Sequence, residues 1–132
     1  MKKFPCSTYM RLFAYGTLRE GGKYHHLIAE SIRFEKTISL GGYRMYDDGR
    51  GYPLLVMGTR DDLVLGDIFL LFDPDGSLLD TLDELEGATE DLPPPLRLYR
   101  RELIETEEGS AWAYLYNGDI PPAAKVISDW LK

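Results

Sequence analysis

A single cysteine, Cys6, and only two histidines, His25 and His26, leave this 132-residue chain little with which to build a cross-link or a metal centre. One thiol excludes an internal disulfide framework and fits a reducing compartment. Its position beside Pro5, in an N-terminal stretch read as a tail over residues 1–8, argues against a catalytic role. Adjacent histidines point in different directions on a helix and no other Cys or His stands nearby, so a zinc site is not expected. Packing or surface positions are expected for both, with a place at a cavity wall left open for His26.

Basic residues are also scarce. Fifteen Lys and Arg stand against 22 Asp and Glu, giving a net charge of −7 with no basic cluster. Nucleic-acid and anionic-membrane partners both need a basic footprint and are disfavoured. An anionic small substrate remains open, provided local donors overcome the global field. No run approaches the roughly 18 apolar residues of a membrane helix; the stretch from Val64 to Phe72 is short and broken by Asp67. The opening residues lack the apolar core of a signal peptide, so a cytoplasmic protein is expected. With 44% hydrophobic and 28% charged residues, the remainder reads as one globular domain over 9–132.

What is present is a dense succession of short apolar segments. Strands are expected at 11–15, 34–40, 43–47, 54–58, 64–72, 97–106 and 111–117, the last two joined as a hairpin by Glu107-Glu108-Gly109. Helices are expected at about 23–32, 77–86 and 122–131, the last opening on Pro122. Many strands with few helices imply an α+β domain on a small, mostly antiparallel barrel.

Two segments carry the chemistry. The first is Phe13-Ala14-Tyr15-Gly16-Thr17-Leu18, where an apolar strand ends in a loop followed by Gly21 and Gly22. Such a loop frees backbone N–H groups for an anion, and Gly16 permits close approach; a plain glycine turn is the alternative. The second is the helix at 77–86. Leu78, Leu79, Leu82 and Leu85 form one apolar arc, with Asp80, Asp83 and Glu84 outside it as solvated residues. Glu86 falls on the buried side, where a carboxylate is costly unless paired or used. Burial, the neighbouring Asp83, Glu84, Glu90 and Asp91, and the helix C-terminus before Gly87 should all raise its pKa towards that of a general base. The competing reading has Glu86 fraying outward or bonding Arg100 or Arg101.

Together these residues resemble the γ-glutamylcyclotransferase-like (AIG2-like) family. The resemblance runs through Phe13–Arg19, Gly21-Gly22 and His25-His26-Leu27. It continues through Gly42–Tyr46, Gly51-Tyr52-Pro53, Val64–Phe69, Leu82–Gly87, Tyr99-Arg100-Arg101 and Trp112–Tyr116. It implies a barrel with a cavity at one mouth, substrate held by Tyr15, Gly16, Thr17 and Leu18, and Glu86 as the catalytic acid/base. Tyr99 and Tyr116 are implied as cavity tyrosines. The implied reaction is attack of a γ-glutamyl α-amine on its own γ-carbonyl, giving 5-oxoproline and a free amine. No metal, nucleotide or covalent intermediate is required. Two rivals stand beside it: a non-catalytic module holding a carboxylate-bearing metabolite, and an acyl-transfer relative. The inserted segment Ala88–Leu96, with three prolines, is expected to be stiff, extended and close to the cavity.

Several weaker signals point nowhere further. The P-loop register fails, because Lys23 is followed by Tyr24. Asp47-Asp48-Gly49 and Asp61-Asp62 read as turns, lacking the further ligand spacing of a calcium loop.

Overall fold

Alternating apolar segments that can bury both faces produce a layered molecule. The computed structural model describes residues 9–131 apart from positions 20, 23, 24 and 90. The proposed tail with Cys6, and the contribution of Glu90 to the site, lie outside the described residues.

Among the described residues there are eight strands: β1 Tyr9–Ala14, β2 Ile32–Gly41, β3 Tyr43–Asp47, β4 Pro53–Met57, β5 Leu63–Phe72, β6 Tyr99–Thr106, β7 Gly109–Tyr116 and β8 Lys125–Ile127. They form a five-stranded sheet in the order β2-β5-β1-β7-β6 and a three-stranded sheet in the order β4-β3-β8. This corrects the expected barrel: the architecture is two separate sheets. Every pairing is antiparallel except β1 with β7, which meet in parallel at Leu12 and Trp112.

The larger sheet is apolar on both faces. On one, Phe13, Ile68, Ala111, Ala113 and Leu115 pack against Met45 and Leu55 of the smaller sheet. On the other, Leu12, Ala14, Phe69 and Tyr114 pack against Leu79 and Leu82 of the one α-helix among the described residues, α1, which spans Ser77–Leu85.

Two expected helices do not appear among the described residues. Of the region near 23–32, the described part forms 3-10 turns at His25–Leu27 and Ala29–Ser31 before β2 begins. At the other end, an Ala124 N–H to Pro121 carbonyl turn of 3.0 Å leads into strand β8, which pairs Lys125–Ile127 with the free edge of β3. The β-branched pair Val126-Ile127 suits that extended geometry. Residues Pro94–Leu96 form a 3-10 turn, so the proline segment is not extended throughout. The Asn117 amide pins it by donating to the carbonyls of Pro94 (2.8 Å) and Arg97 (3.1 Å).

Candidate active site

β1 is held by β5 as far as Ala14 on one side and meets β7 at Leu12 on the other. Beyond it the chain leaves the ladder. Tyr15 is buried and donates its hydroxyl to the Tyr114 carbonyl. The Arg19 N–H then closes a turn on the Gly16 carbonyl at 3.1 Å. The N–H groups of Gly16, Thr17 and Leu18 find no acceptor among the described residues. Gly16 has a packing reason as well: a Cβ there would stand 2.5 Å from the Pro53 ring. Gly22 is more constrained still, since a Cβ would meet the Thr17 carbonyl oxygen at 2.6 Å. Behind the loop, His25 Nδ1 lies 2.9 Å from the Leu18 carbonyl and its ring packs on Phe69. His26 is exposed, and neither histidine lines the cavity.

Helix α1 brings the carboxyl. Buried Asp73 caps its start by accepting from the N–H groups of Leu78 (2.9 Å) and Leu79 (3.0 Å). The helix ends in a Schellman arrangement. Gly87, at φ +64°, donates to Glu84 at 3.3 Å and Ala88 to Asp83 at 2.8 Å. Glu86 is thereby fixed as the last half-helical residue, with its side chain on the cavity. Desolvation raises its carboxyl from an ordinary 4.5 to about 7, and no described residue bonds or ion-pairs with it.

Burial is the cause of that rise. Asp83, expected as a solvated charge beside it, is buried instead. It takes two hydrogen bonds from Arg101, at 2.9 and 3.2 Å, and one from the Tyr114 hydroxyl at 2.7 Å. Its charge is thus balanced locally. Arg101, stacked 4.4 Å above Trp112, is committed to Asp83. Arg100 is committed to Glu102 and the Tyr116 carbonyl. Neither reaches Glu86.

Around Glu86 lies a cavity of about 210 Å³. Its wall contains Tyr15, Gly16, Thr17 and Leu18 from the loop, with Tyr99 opposite. Tyr52, Pro53, Leu98 and Tyr114 complete it, and sequence reasoning gave them no role there. Tyr52-Pro53 belong to the family-like stretch; the signal for Tyr114 is the two-residue aromatic period Trp112, Tyr114, Tyr116. Tyr116 stands behind the wall, its ring 6.1 Å from Tyr99. No described residue of the proline-containing segment 88–96 lines the cavity.

The wall's hydrogen-bonded phenols are all engaged as donors: Tyr15 to Tyr114, Tyr99 to the Pro53 carbonyl, and Tyr114 to Asp83. Burial raises all three above the ordinary tyrosine value, and the Glu86 charge adds to each. They stay protonated at neutral pH, whereas Glu86 titrates there.

A small two-sheet fold with a titratable carboxyl in a closed-in cavity belongs to a known structural class. The solution structure of Escherichia coli protein ytfP superposes with a TM-score of 0.63 at 30% identity, over 91% of this chain and 93% of that one. By sequence, E. coli YtfP, named a gamma-glutamylcyclotransferase family protein, is 32% identical over 124 residues, or 92% of this chain and 96% of its own. A Vibrio cholerae relative is 38% identical over 105 residues, 80% of each chain. A Niallia circulans relative, named gamma-L-glutamyl-butirosin B gamma-glutamyl cyclotransferase, is 32% identical over 121 residues, covering 90% of this chain and 74% of its own. The family model described as gamma-glutamyl cyclotransferase, AIG2-like, matches residues 12–132, and the chain belongs to that family. It is an enzyme of the gamma-glutamylcyclotransferase type.

Proposed function

We propose that the enzyme cyclises a γ-glutamyl amine or γ-glutamyl amino acid to 5-oxoproline, releasing the amine, with Glu86 carrying the proton. The observation that supports this most directly is an unpaired carboxyl, raised to about 7, in a cavity walled by the 15–18 loop. At neutral pH the substrate's α-ammonium must lose a proton before it can attack. Glu86 takes that proton as the nitrogen–carbon bond to the γ-carbonyl forms. It returns it to the departing nitrogen as the original amide bond breaks. A base whose pKa lies near the working pH does both steps well, at roughly 10²–10⁴-fold in rate. The unengaged N–H groups after Tyr15 would hold the α-carboxylate or the developing oxyanion, and the small cavity favours the curled substrate.

The test is 5-oxoproline release from γ-glutamyl amino acids, γ-glutamyl-ε-lysine and glutathione, by wild type and Glu86→Gln. Wild type should turn over at least one of them, with kcat/KM rising as pH increases through about 7. Glu86→Gln should lose at least about a hundredfold. Comparable rates in the two proteins, or release from none of the panel by folded wild type, would overturn the proposal.

A further inference from the structure

A cavity of about 210 Å³ is small. Pockets that enclose a whole drug-sized ligand run to roughly 300–1,000 Å³. A γ-glutamyl group fills the space beside Glu86, and the substituent on the leaving nitrogen must then extend towards the rim. What stands at the rim therefore decides which amines are accepted.

Among the described residues the wall holds no Lys, Arg or His. One cation is pressed against it. The Arg50 guanidinium lies 5.1 Å from the centre of the Tyr52 ring, a wall residue, and 6.0 Å from that of Tyr116. Its Nη2 donates to the Tyr116 hydroxyl at 3.3 Å. The Asp48 carboxylate, whose side chain is only 5% exposed, takes the Nε/Nη2 edge, so that Nη2 is shared between Asp48 and the Tyr116 hydroxyl. Two aromatic rings and the Asp48 carboxylate thus anchor a side chain that is itself 45% exposed. Its Nη1 has no partner among the described residues. The site is continuous with the catalytic wall, because Tyr52 meets Tyr99 edge-on at 6.3 Å. The Tyr99 hydroxyl feels the charges of both Glu86 and Arg50.

A guanidinium anchored through Nε and Nη2, with Nη1 unpartnered among the described residues, has a charged donor left to offer a carboxylate. Asp48 offsets its long-range field, so recognition falls to the directed hydrogen bond. We propose that Arg50 reads a carboxylate on the leaving group, making γ-glutamyl amino acids preferred over γ-glutamyl amines that lack one. This rests on the cyclisation reading of the site and adds the substrate class to it.

The discriminating pair is γ-glutamyl-alanine and γ-glutamyl-alaninamide, which match in shape and differ by one charge. Wild type should favour the acid by about three- to tenfold in kcat/KM, mostly through KM, with the preference falling at high salt. In Arg50→Gln the ratio should collapse towards one. Arg50→Lys, which keeps charge without the fork, should retain part of it. Tyr116→Phe, which removes one support of the fork, should reduce it slightly. An unchanged ratio in Arg50→Gln would overturn the proposal. So would an equal loss on both substrates, which would place Arg50 on the glutamyl half. Absence of 5-oxoproline from either substrate in wild type would instead remove the cyclisation reading itself.

Discussion

At Glu86 the same desolvation that suits proton transfer works against folding. Its carboxyl holds a proton up to about pH 7 in the folded chain, against an ordinary 4.5. Between those values the native state binds a proton that the unfolded chain has released, so stability falls as pH rises through the window. Below about 4.5 both states are protonated and nothing is lost; above about 7 the penalty is complete. Glu86→Gln removes the charge at all pH values. At pH 8 the variant should be more stable by on the order of 2–3 kcal/mol, or roughly 6–12 °C in Tm, while at pH 4.5 the two should melt together. Calorimetry at the two pH values checks this, and equal melting at pH 8 would mean the carboxyl is not desolvated. Glu86 was legible in the sequence because a carboxylate on an apolar arc ahead of a glycine breaks a local pattern. The burial of the Asp83 carboxylate was not, since that depended on Arg101 and Tyr114 reaching it from the sheet.

Elements showed the same division. Helix α1 and strands β1–β7 follow from apolar periodicity and turn residues, and their positions match to within a few residues. β8 does not, because a ten-residue segment starting at Pro122 suits a helix until β3 offers it an unpaired edge. Docking decides there over local preference. Asp83 illustrates the limit within one helix. It lies outside the leucine arc, but Arg101 of β6 and Tyr114 of β7 arrive from strands distant in sequence and make that side an interior. The clamp ties α1 to the larger sheet three residues before Glu86. Removing one partner of a largely buried pair leaves the other uncompensated. Asp83→Asn should therefore cost about 2–3 kcal/mol, discounted for side-chain exposures of 12% and 25%. Arg101→Met in the same background should recover part of the loss. Denaturant unfolding of the four proteins in a double-mutant cycle gives the coupling. A cost under about 0.5 kcal/mol for Asp83→Asn would show that the clamp does not hold the helix.

Over the whole molecule, the C-terminal segment links the smaller sheet to the site. β8 adds to β3, the Ser128 carbonyl accepts from Leu65 of β5 at 2.7 Å, and Trp130 packs on the inter-sheet core. Between them Asp129 reaches Arg19, at 2.8 Å. Arg19 is nearly inaccessible, with 8% of its side chain exposed, and Asp67 of β5 holds its other face at 3.4 Å. Arg19 is also the residue whose backbone closes the cavity loop, through bonds with Gly16 (3.1 Å) and Gly22 (2.6 Å). None of this was readable along the chain, because Arg19, Asp67 and Asp129 are brought together only by the packing of two sheets. Asp129→Asn should then act on stability and on substrate binding together. It leaves a buried guanidinium with one carboxylate instead of two, for a loss of about 2 kcal/mol. Under the proposed function, in which the loop holds substrate and Glu86 carries the proton, it should also raise KM more than it lowers kcat. A substitution in the same C-terminal segment that does not contact Arg19, such as Val126→Thr at an exposed position of β8, supplies the control. If Asp129→Asn lowers Tm and leaves KM where the control leaves it, the segment merely seals the sheets. If KM rises alone among the two, the loop's geometry is set from the far end of the chain.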